Sequence, residues 1–398
     1  MLRWLFLDMN SFFASVEQQE NPKLRGRPVG VVPVDSDTTC CIAASYEAKA
    51  FGIRTGTNVG EAKRLCPEIQ LVEAHHRPYR DYHNRIVEVV GKCTPVDKIL
   101  SVDEMICHLW ANEDRVEDAV KLARHVKDSI HREVGECLHC SVGLSLNPFL
   151  AKVAAEIEKP NGLVVLDDDD IPGKLYALDL LDFPGINKRM LARFHAQGVY
   201  TTEQMYDLSK SRMREVWGGV MGDRWWHLLR GDEVNVPENP RRSVSHSHVL
   251  PPEQRTPDGA WTVTARLLEK ACERMRHLGF HARSIAVQVR NQDGRWWDDH
   301  ALITPCADTW TFMEIAAGLW KHGFDRPMKV GVVLYDLVPT ENVTLPLFDD
   351  EVRRSRALAA VDELNGRFGR TRVTFACALK AWSAVEDKIA FGKVQEMD

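Results

Sequence analysis

The stretch Trp4-Leu5-Phe6-Leu7-Asp8-Met9-Asn10-Ser11-Phe12-Phe13-Ala14-Ser15-Val16-Glu17 joins two different periodicities. Trp4 to Leu7 is a short apolar run bounded by Arg3 and Asp8, the pattern of a buried strand. From Asn10 to Gln19 the spacing of Phe12, Phe13 and Val16 predicts a helix. Asp8 therefore stands where a buried strand meets a turn. An ionised carboxylate there needs water, hydrogen bonds or a metal.

Beyond this unit, Val29 to Val34 reads as a second strand, and Ala43 to Ala50 and Val59 to Leu65 read as helices. Tyr79 to Val90 is a longer helix with Tyr82, Ile86, Val89 and Val90 on one face. Ile99 to Trp110 is strand-rich and surrounds Asp103-Glu104; Val116 to Val134 is helical. Cys140 to Leu144 and Gly162 to Leu166 read as strands around a helix from Pro148 to Glu158. Strands and helices mix without strict alternation, so the expected class is α+β. Ile171 to Arg230 reads as helix and turn, and Glu233 to Arg242 has a linker composition. The remainder predicts strand, helix, strand, strand, helix, strand. Thr256-Pro257 opens the first of these helices as N-cap and first-turn proline.

Composition bounds the function. With 398 residues, 44% hydrophobic and 27% charged, the chain suits a folded protein of two to four domains. No apolar run approaches the ~18–20 residues of a membrane span, and Asp8 ends the first run too early for a signal peptide. The expectation is a cytoplasmic protein with no membrane partner. Ten cysteines are spread thinly, and Cys137-Leu138-His139-Cys140 has no second pair at zinc spacing, which favours free thiols in a reducing compartment. Net charge is −6, yet Arg241 to Arg290 carries nine Lys/Arg against four Asp/Glu, so basic surface for phosphates is local. The acidic run Asp167 to Asp170 lies elsewhere.

Asp103-Glu104 stands between Leu100, Val102 and Met105-Ile106. Acids within an apolar strand are costly unless paired. Together with Asp8 they would form a hard, oxygen-rich site suited to magnesium, and two such ions can drive phosphoryl transfer. Each acid alone reads more readily as a solvated turn residue, and spacing does not join them. Neighbouring strand residues also point to opposite faces, so Asp103 and Glu104 can aim together only if the strand ends or bulges there.

The motifs themselves resemble a family. Asp8 to Glu17 resembles the opening DxDxFFAxVE motif of the Y-family, lesion-bypass DNA polymerases, and Ser101-Val102-Asp103-Glu104 resembles their second acidic motif. Ser141-Val142-Gly143-Leu144-Ser145, Asn147, Ala151-Lys152 and Lys159-Pro160-Asn161-Gly162 resemble a third. Ala44 to Arg54, with Tyr46 and Phe51-Gly52-Ile53-Arg54, is similar to their fingers motif. Order and spacing agree across nearly the whole chain, with most similarity to the DinB-like branch and some to ImuB/UmuC-type members in the last domain.

The resemblance implies an α+β right-hand polymerase. Its parts would be a palm (1–10 and 75–167), fingers (11–74), a helical thumb (168–232), a linker (233–242), a little finger (243–340) and a C-terminal segment (341–398). It implies catalytic Asp8, Asp103 and Glu104, two magnesium ions held by these acids and the Met9 carbonyl, and Phe13 as a steric gate against a 2′-hydroxyl. The dNTP would be lined by Met9, Phe12, Phe13, Ala43, Tyr46, Lys49 and Lys159. Asn10 stands where the family commonly has Asp, Lys49 where it has Arg, and Ala43 where a hydroxyl residue is frequent. Pro148 replaces a usual Lys and Met105 a usual Ala. Lysine keeps the charge of arginine but loses its bidentate fork.

Phe183-Pro184-Gly185-Ile186, with Asn187 and Lys188, resembles a helix-hairpin-helix that offers backbone N–H groups to primer-template DNA. Asn187 replaces its second glycine and tolerates unusual backbone angles. In the little finger, Ser243, Ser245, Arg283 and Ser284 are the expected phosphate contacts. Thr344-Leu345-Pro346-Leu347-Phe348 resembles a peptide that docks into a sliding clamp, without its glutamine. The implied partners are DNA, dNTP and clamp, with a monomeric enzyme. The alternative is a catalytically weak or inactive ImuB-like adaptor; a metal-dependent nuclease ranks last, since no separate water-activating base is evident.

Overall fold

A computed structural model describes all residues except 35, 38, 236–239, 321–323, 345–348, 369–371 and 382–398. Its described residues divide into two compact units, 1–235 and 240–381.

The first unit is centred on strand β1 (Trp4–Met9), which leads into helix α1 (Phe12–Glu20). The helix starts later than its sequence suggests because Ser11 takes a left-handed conformation, φ 49°. A small sheet follows: β2 (Val29–Val32), β3 (Ala43–Ala44), helices α2 (Tyr46–Lys49) and α3 (Val59–Leu65), then β4 (Gln70–Glu73). Ala43 and Ala44 were expected in a helix. They pair instead with Gly30 and Val31, and Ser45 caps the shortened helix by accepting from the Ala48 N–H. Cross-strand pairing outweighs the strong intrinsic helix propensity of alanine, since tertiary context overrides local preference. Strand β4 was not anticipated; it pairs parallel with β2.

Helix α4 (His76–Cys93) precedes β5 (Lys98–Ile99) and β6 (Glu104–His108), then α5 (Val116–Glu133), β7 (Cys140–Ser145), α6 (Pro148–Ile157) and β8 (Leu163–Leu166). The main sheet has the order β5-β6-β1-β7-β8. Leu5, Leu7, Met105, Val142 and Leu144 share one core with Tyr79, Ile86, Val90, Ala123, Val126 and Ile130 of α4 and α5. On the other face Phe6 and Ile106 pack against Ala151 and Ala155 of α6. Burial on both faces is why β1 reads as an unbroken apolar run rather than an alternating one. Asp8 follows Phe6 by two residues and so lies on the α6 face.

Among the described residues five α-helices follow in this unit: α7 (Gly173–Tyr176), α8 (Lys188–Ala196), α9 (Thr202–Tyr206), α10 (Lys210–Trp217) and α11 (Val220–Leu228). Their core of Leu175, Phe183, Phe194, Met205, Met213 and Trp225 continues onto Leu150 and Val153 of α6. Asn147 ties this layer to the sheet. Its Oδ1 caps α6 by accepting from Leu150 N at 2.8 Å, and its Nδ2 donates to Leu228 O at 2.9 Å and Asp232 O at 3.0 Å.

The second unit follows the expected order: β9 (Ser243–Val249), α12 (Pro257–His277), β10 (Phe280–Asn291), β11 (Trp296–Cys306), α13 (Thr309–Leu319) and β12 (Pro327–Pro339). The sheet order is β11-β10-β12-β9, with every pairing antiparallel. Val244, Ile285, Val287, Val330 and Val332 share a core with Val263, Leu267 and Phe312 of α12 and α13. Thr256 caps α12 as its sequence suggests, accepting from Gly259 N at 3.1 Å. An unanticipated helix, α14 (Asp349–Phe368), docks on this layer through a forked pair: Arg276 meets the two Asp362 oxygens at 2.6 and 2.8 Å.

Candidate active site

Register brings the acids together. Asp8 lies directly opposite Glu104 on one side and Ser141 on the other. Opposed residues of an antiparallel pair project to the same face, so Asp8 and Glu104 share the α6 face. Strand β6 begins at Glu104, leaving Asp103 in the turn before it. That turn frees Asp103 from strand alternation. Its main-chain oxygen accepts from Met9 N at 2.9 Å, and its Oδ1 accepts from Ser101 Oγ at 2.5 Å. Asp8 is only 7% exposed. Burial pushes the Asp8 carboxyl well above the ordinary carboxylate range, against the pull of Lys159. Burial raises Asp103 too, with the Ser101 hydroxyl opposing and the charge of Glu104 adding.

Cations from α6 and the loop after it meet these acids. Lys152 Nζ lies 2.5 Å from Glu104 Oε1. Lys159 Nζ lies between Asp8 Oδ2 at 2.9 Å and Glu156 Oε1 at 2.6 Å. Lys49 sits over the Tyr46 ring, 4.1 Å from its centroid. Burial, then the positive charge of Lys159, lowers the Lys49 ammonium; burial raises the Tyr46 phenol, and both groups feel Asp8 and Glu156. Asp8, Tyr46, Lys49 and Lys159 thus form one electrostatic neighbourhood. Ala43, partly buried in β3, brings only a methyl.

Among the described residues no three His, Cys, Asp or Glu side chains form a ready-made cation site. Two of the three acids instead hold lysine ammonium groups. The chemistry still fits a hard divalent ion: the donors are carboxylate oxygens, and both ammonium groups stand where the acids demand positive charge.

Asn10 has a role its sequence did not disclose. Its Oδ1 accepts from Asn161 N at 2.6 Å and its Nδ2 donates to Ser141 Oγ at 3.0 Å. An amide can donate and accept at once, so Asn10 ties the Lys159 loop to β7. Lys152 and Glu156 also escaped a role, although their spacing with Lys159 (i, i+4, i+7) marks one side of a helix.

Phe13 is 5% exposed and stacks on Tyr79, with centroids 4.2 Å apart and planes 14° from parallel. The Tyr79 hydroxyl donates to Glu17 Oε1 at 2.5 Å, and His75 Nδ1 lies 3.1 Å from the same oxygen. Phe12, also buried, lies 5.8 Å from the Phe13 ring.

In the helical layer, Gly185 adopts φ 100° beneath Trp225 and Trp217. Ile186 is buried, while Asn187 and Lys188 are exposed. Asn187 does not use the unusual angles expected of it. At φ −100° and ψ 178° it is the α8 N-cap, accepting from Arg189 N and Met190 N. Ser243, Ser245 and Arg283 are exposed. Ser284 corrects the expectation: its side chain is buried and donates to Asp336 Oδ2 at 2.7 Å, so that hydroxyl does not face solvent. Thr344 is exposed, and Leu345 to Phe348 lie outside the described residues. Cys137 and Cys140 are free, and burial raises the Cys140 thiol to about 12.

Residues 7–156 match the model of the impB/mucB/samB family, and residues 241–347 match that of its C-terminal domain. A DNA polymerase IV from Moorella thermoacetica is 33% identical over 386 residues, covering 94% of this chain and 96% of that one. A DNA polymerase IV from Pelotomaculum thermopropionicum is 30% identical over 389 residues, covering 94% and 95%. Among solved structures, a chimeric Y-family DNA polymerase built on Dbh superposes with TM-score 0.72 at 22% identity, over 85% of this chain and 100% of that one. The Dbh polymerase in its insertion ternary complex gives TM-score 0.58 at 22% identity, with the same coverages of 85% and 100%. On these matches, and with an α+β right-hand polymerase fold, the chain belongs to the DinB-like Y family of DNA polymerases.

Proposed function

We propose that this protein is a template-directed DNA polymerase of the lesion-bypass type, extending a primer 3′ end with dNTPs at low fidelity. The observation that carries the mechanism is Asp8, Asp103 and Glu104 at neighbouring strand ends, with Lys159, Lys49 and Tyr46 beside them. Asp8, Asp103, Glu104 and the Met9 carbonyl are the proposed holders of two magnesium ions. When bound, such a pair supplies the charge that makes the primer hydroxyl a nucleophile and neutralises the departing pyrophosphate. Lys159 and Lys49 bind triphosphate oxygens as point charges, and Tyr46 orients them. Phe12 and Phe13 floor the sugar site. The Tyr79 stack fixes the Phe13 ring, which supports its proposed role as the gate against a 2′-hydroxyl.

The proposed parts are a palm and fingers around the five- and three-stranded sheets, a thumb of α7 to α11, and a little finger built on β9 to β12. Lys188 and the N–H groups of Gly185 to Asn187, with Ser243, Ser245 and Arg283, are the proposed contacts to primer-template DNA. The ten free cysteines support a reducing, cytoplasmic setting. Among the described residues no helix is long and apolar enough to cross a membrane. The adaptor reading is not favoured, because the acids are retained and the relatives are named polymerases.

Primer extension on undamaged and abasic templates, with magnesium and all four dNTPs, tests the reading. Slow, distributive extension is expected; intact DNA binding without extension would overturn it. Phe13→Val should raise ribonucleotide incorporation by roughly 10–200-fold, the range for a small change in pocket shape. Unchanged sugar discrimination would put the gate elsewhere. Deleting Thr344 to Phe348 should weaken sliding-clamp capture about tenfold or more, as loss of one anchor residue would. Equal clamp affinity would refute the docking role.

A further inference from the structure

The family-like motif containing Ala151-Lys152 places a lysine for which the proposed chemistry has no task. Lys152 reaches Glu104 Oε1 at 2.5 Å, and it is the one side chain hydrogen-bonded to that carboxylate among the described residues. Both groups are mostly covered, with 29% of the Lys152 side chain and 20% of the Glu104 side chain exposed. The ammonium also lies 5.2 Å from the centroid of Phe6, two residues before Asp8 on the same strand face. A cation is attracted to such a ring face, which fixes where the Lys152 stem runs.

Its neighbour one helical stretch along behaves differently. Lys159 divides itself between Asp8 and Glu156. It keeps a carboxylate partner when Asp8 turns to another cation. Among the described residues Lys152 has Glu104 alone as an acidic partner. It also lines a cleft of about 410 Å³ with Glu156, Ile157, Leu181, Phe183 and Pro184.

We propose that Lys152 is the positioning residue of the metal site: its ammonium holds Glu104 Oε1, and so aims the carboxylate and sets the local charge that a divalent cation meets there. This rests on the reading of Glu104 as a metal holder. Two consequences follow from charge and geometry. Lys152 competes with the cation for Glu104, so its loss tightens cation binding. Lys152 also aims the carboxylate, so its loss slows nucleotide addition even when metal saturates.

The test uses the full-length protein with Lys152→Met, which keeps the apolar stem over Phe6 and drops the charge, and with Lys152→Arg, which keeps the charge. Manganese binding is read by paramagnetic resonance without substrate; kcat and the KM for dNTP are read by primer extension. For Lys152→Met we expect about threefold to tenfold tighter manganese binding, about tenfold lower kcat and an unchanged KM for dNTP. Lys152→Arg should return both quantities most of the way to wild type. Wild-type manganese affinity in Lys152→Met, even with a lowered thermal midpoint, would reduce Lys152 to a packing residue and overturn the proposal. Asp8→Asn and Glu104→Gln run alongside. If neither weakens manganese binding, the metal site itself is misassigned, an outcome separate from any behaviour of Lys152.

Discussion

Asp103→Asn is expected to reduce nucleotide addition by roughly 10²–10³-fold, the loss typical of removing one preorganised electrostatic group. The substitution is nearly isosteric. Oδ1 of the asparagine can still accept from Ser101 Oγ, and the main-chain oxygen still receives the Met9 N–H. The turn before β6 should therefore keep its shape, and what disappears is the negative charge. DNA binding should be unchanged, because no proposed DNA contact involves this residue. The measurement is single-turnover primer extension at saturating dNTP and magnesium, beside an equilibrium DNA-binding titration. Extension at the wild-type rate would refute the metal assignment; lost extension together with lost DNA binding would point to misfolding instead.

Gly143→Ala is expected to have the largest effect on folding. A Cβ at this position of β7 would lie 2.0 Å from Ala151 O and 2.5 Å from Ala155 N. Both are backbone atoms of α6, so no side-chain rotation relieves the clash. The helix must lift off the sheet, and with it Phe6 and Ile106 lose their packing against Ala151 and Ala155. Overpacking of this kind costs about 3 kcal/mol or more. For a unit of this size that lowers the thermal midpoint by roughly 6–12 °C. Lys152 rides on α6, so activity should fall at temperatures where the protein is still folded. A midpoint within about 2 °C of wild type, less than 1 kcal/mol, would mean that α6 does not approach β7 this closely.

Where the sequence carried a strong period, it was legible. The Tyr79 to Val90 and Val116 to Val134 patterns became α4 and α5, and the second unit kept its expected order of elements. The weak signals failed for identifiable reasons. Ala43 and Ala44 have helix propensity, yet β2 offered them backbone partners. Gln70 to Glu73 has only four residues and mixed polarity, so its parallel pairing with β2 was invisible. Ser284 was expected at the surface and is buried against Asp336, where a bulge in β10 interrupts strand alternation between Ala282 and Ser284. Asn187 was read for its tolerance of odd backbone angles and serves as a helix cap instead.

The sequence by itself determined the chemistry on offer: a carboxylate ending an apolar strand, a second acidic pair, a glycine in β7, and lysines at helical spacing after it. Those follow from residue identity and short-range periodicity. Only the tertiary structure decided which charges meet. Whether Glu104 faces Asp8 depends on the β1–β6 register, and a slip of one residue would send it to the opposite face. Whether Asp103 joins them depends on β6 starting one residue later. Whether Lys152 reaches Glu104 depends on how closely α6 lies on β7, which Gly143 allows by having no side chain. Register and interlayer distance are properties of paired strands and packed faces, set by contacts between residues far apart in the chain, and no local pattern encodes them.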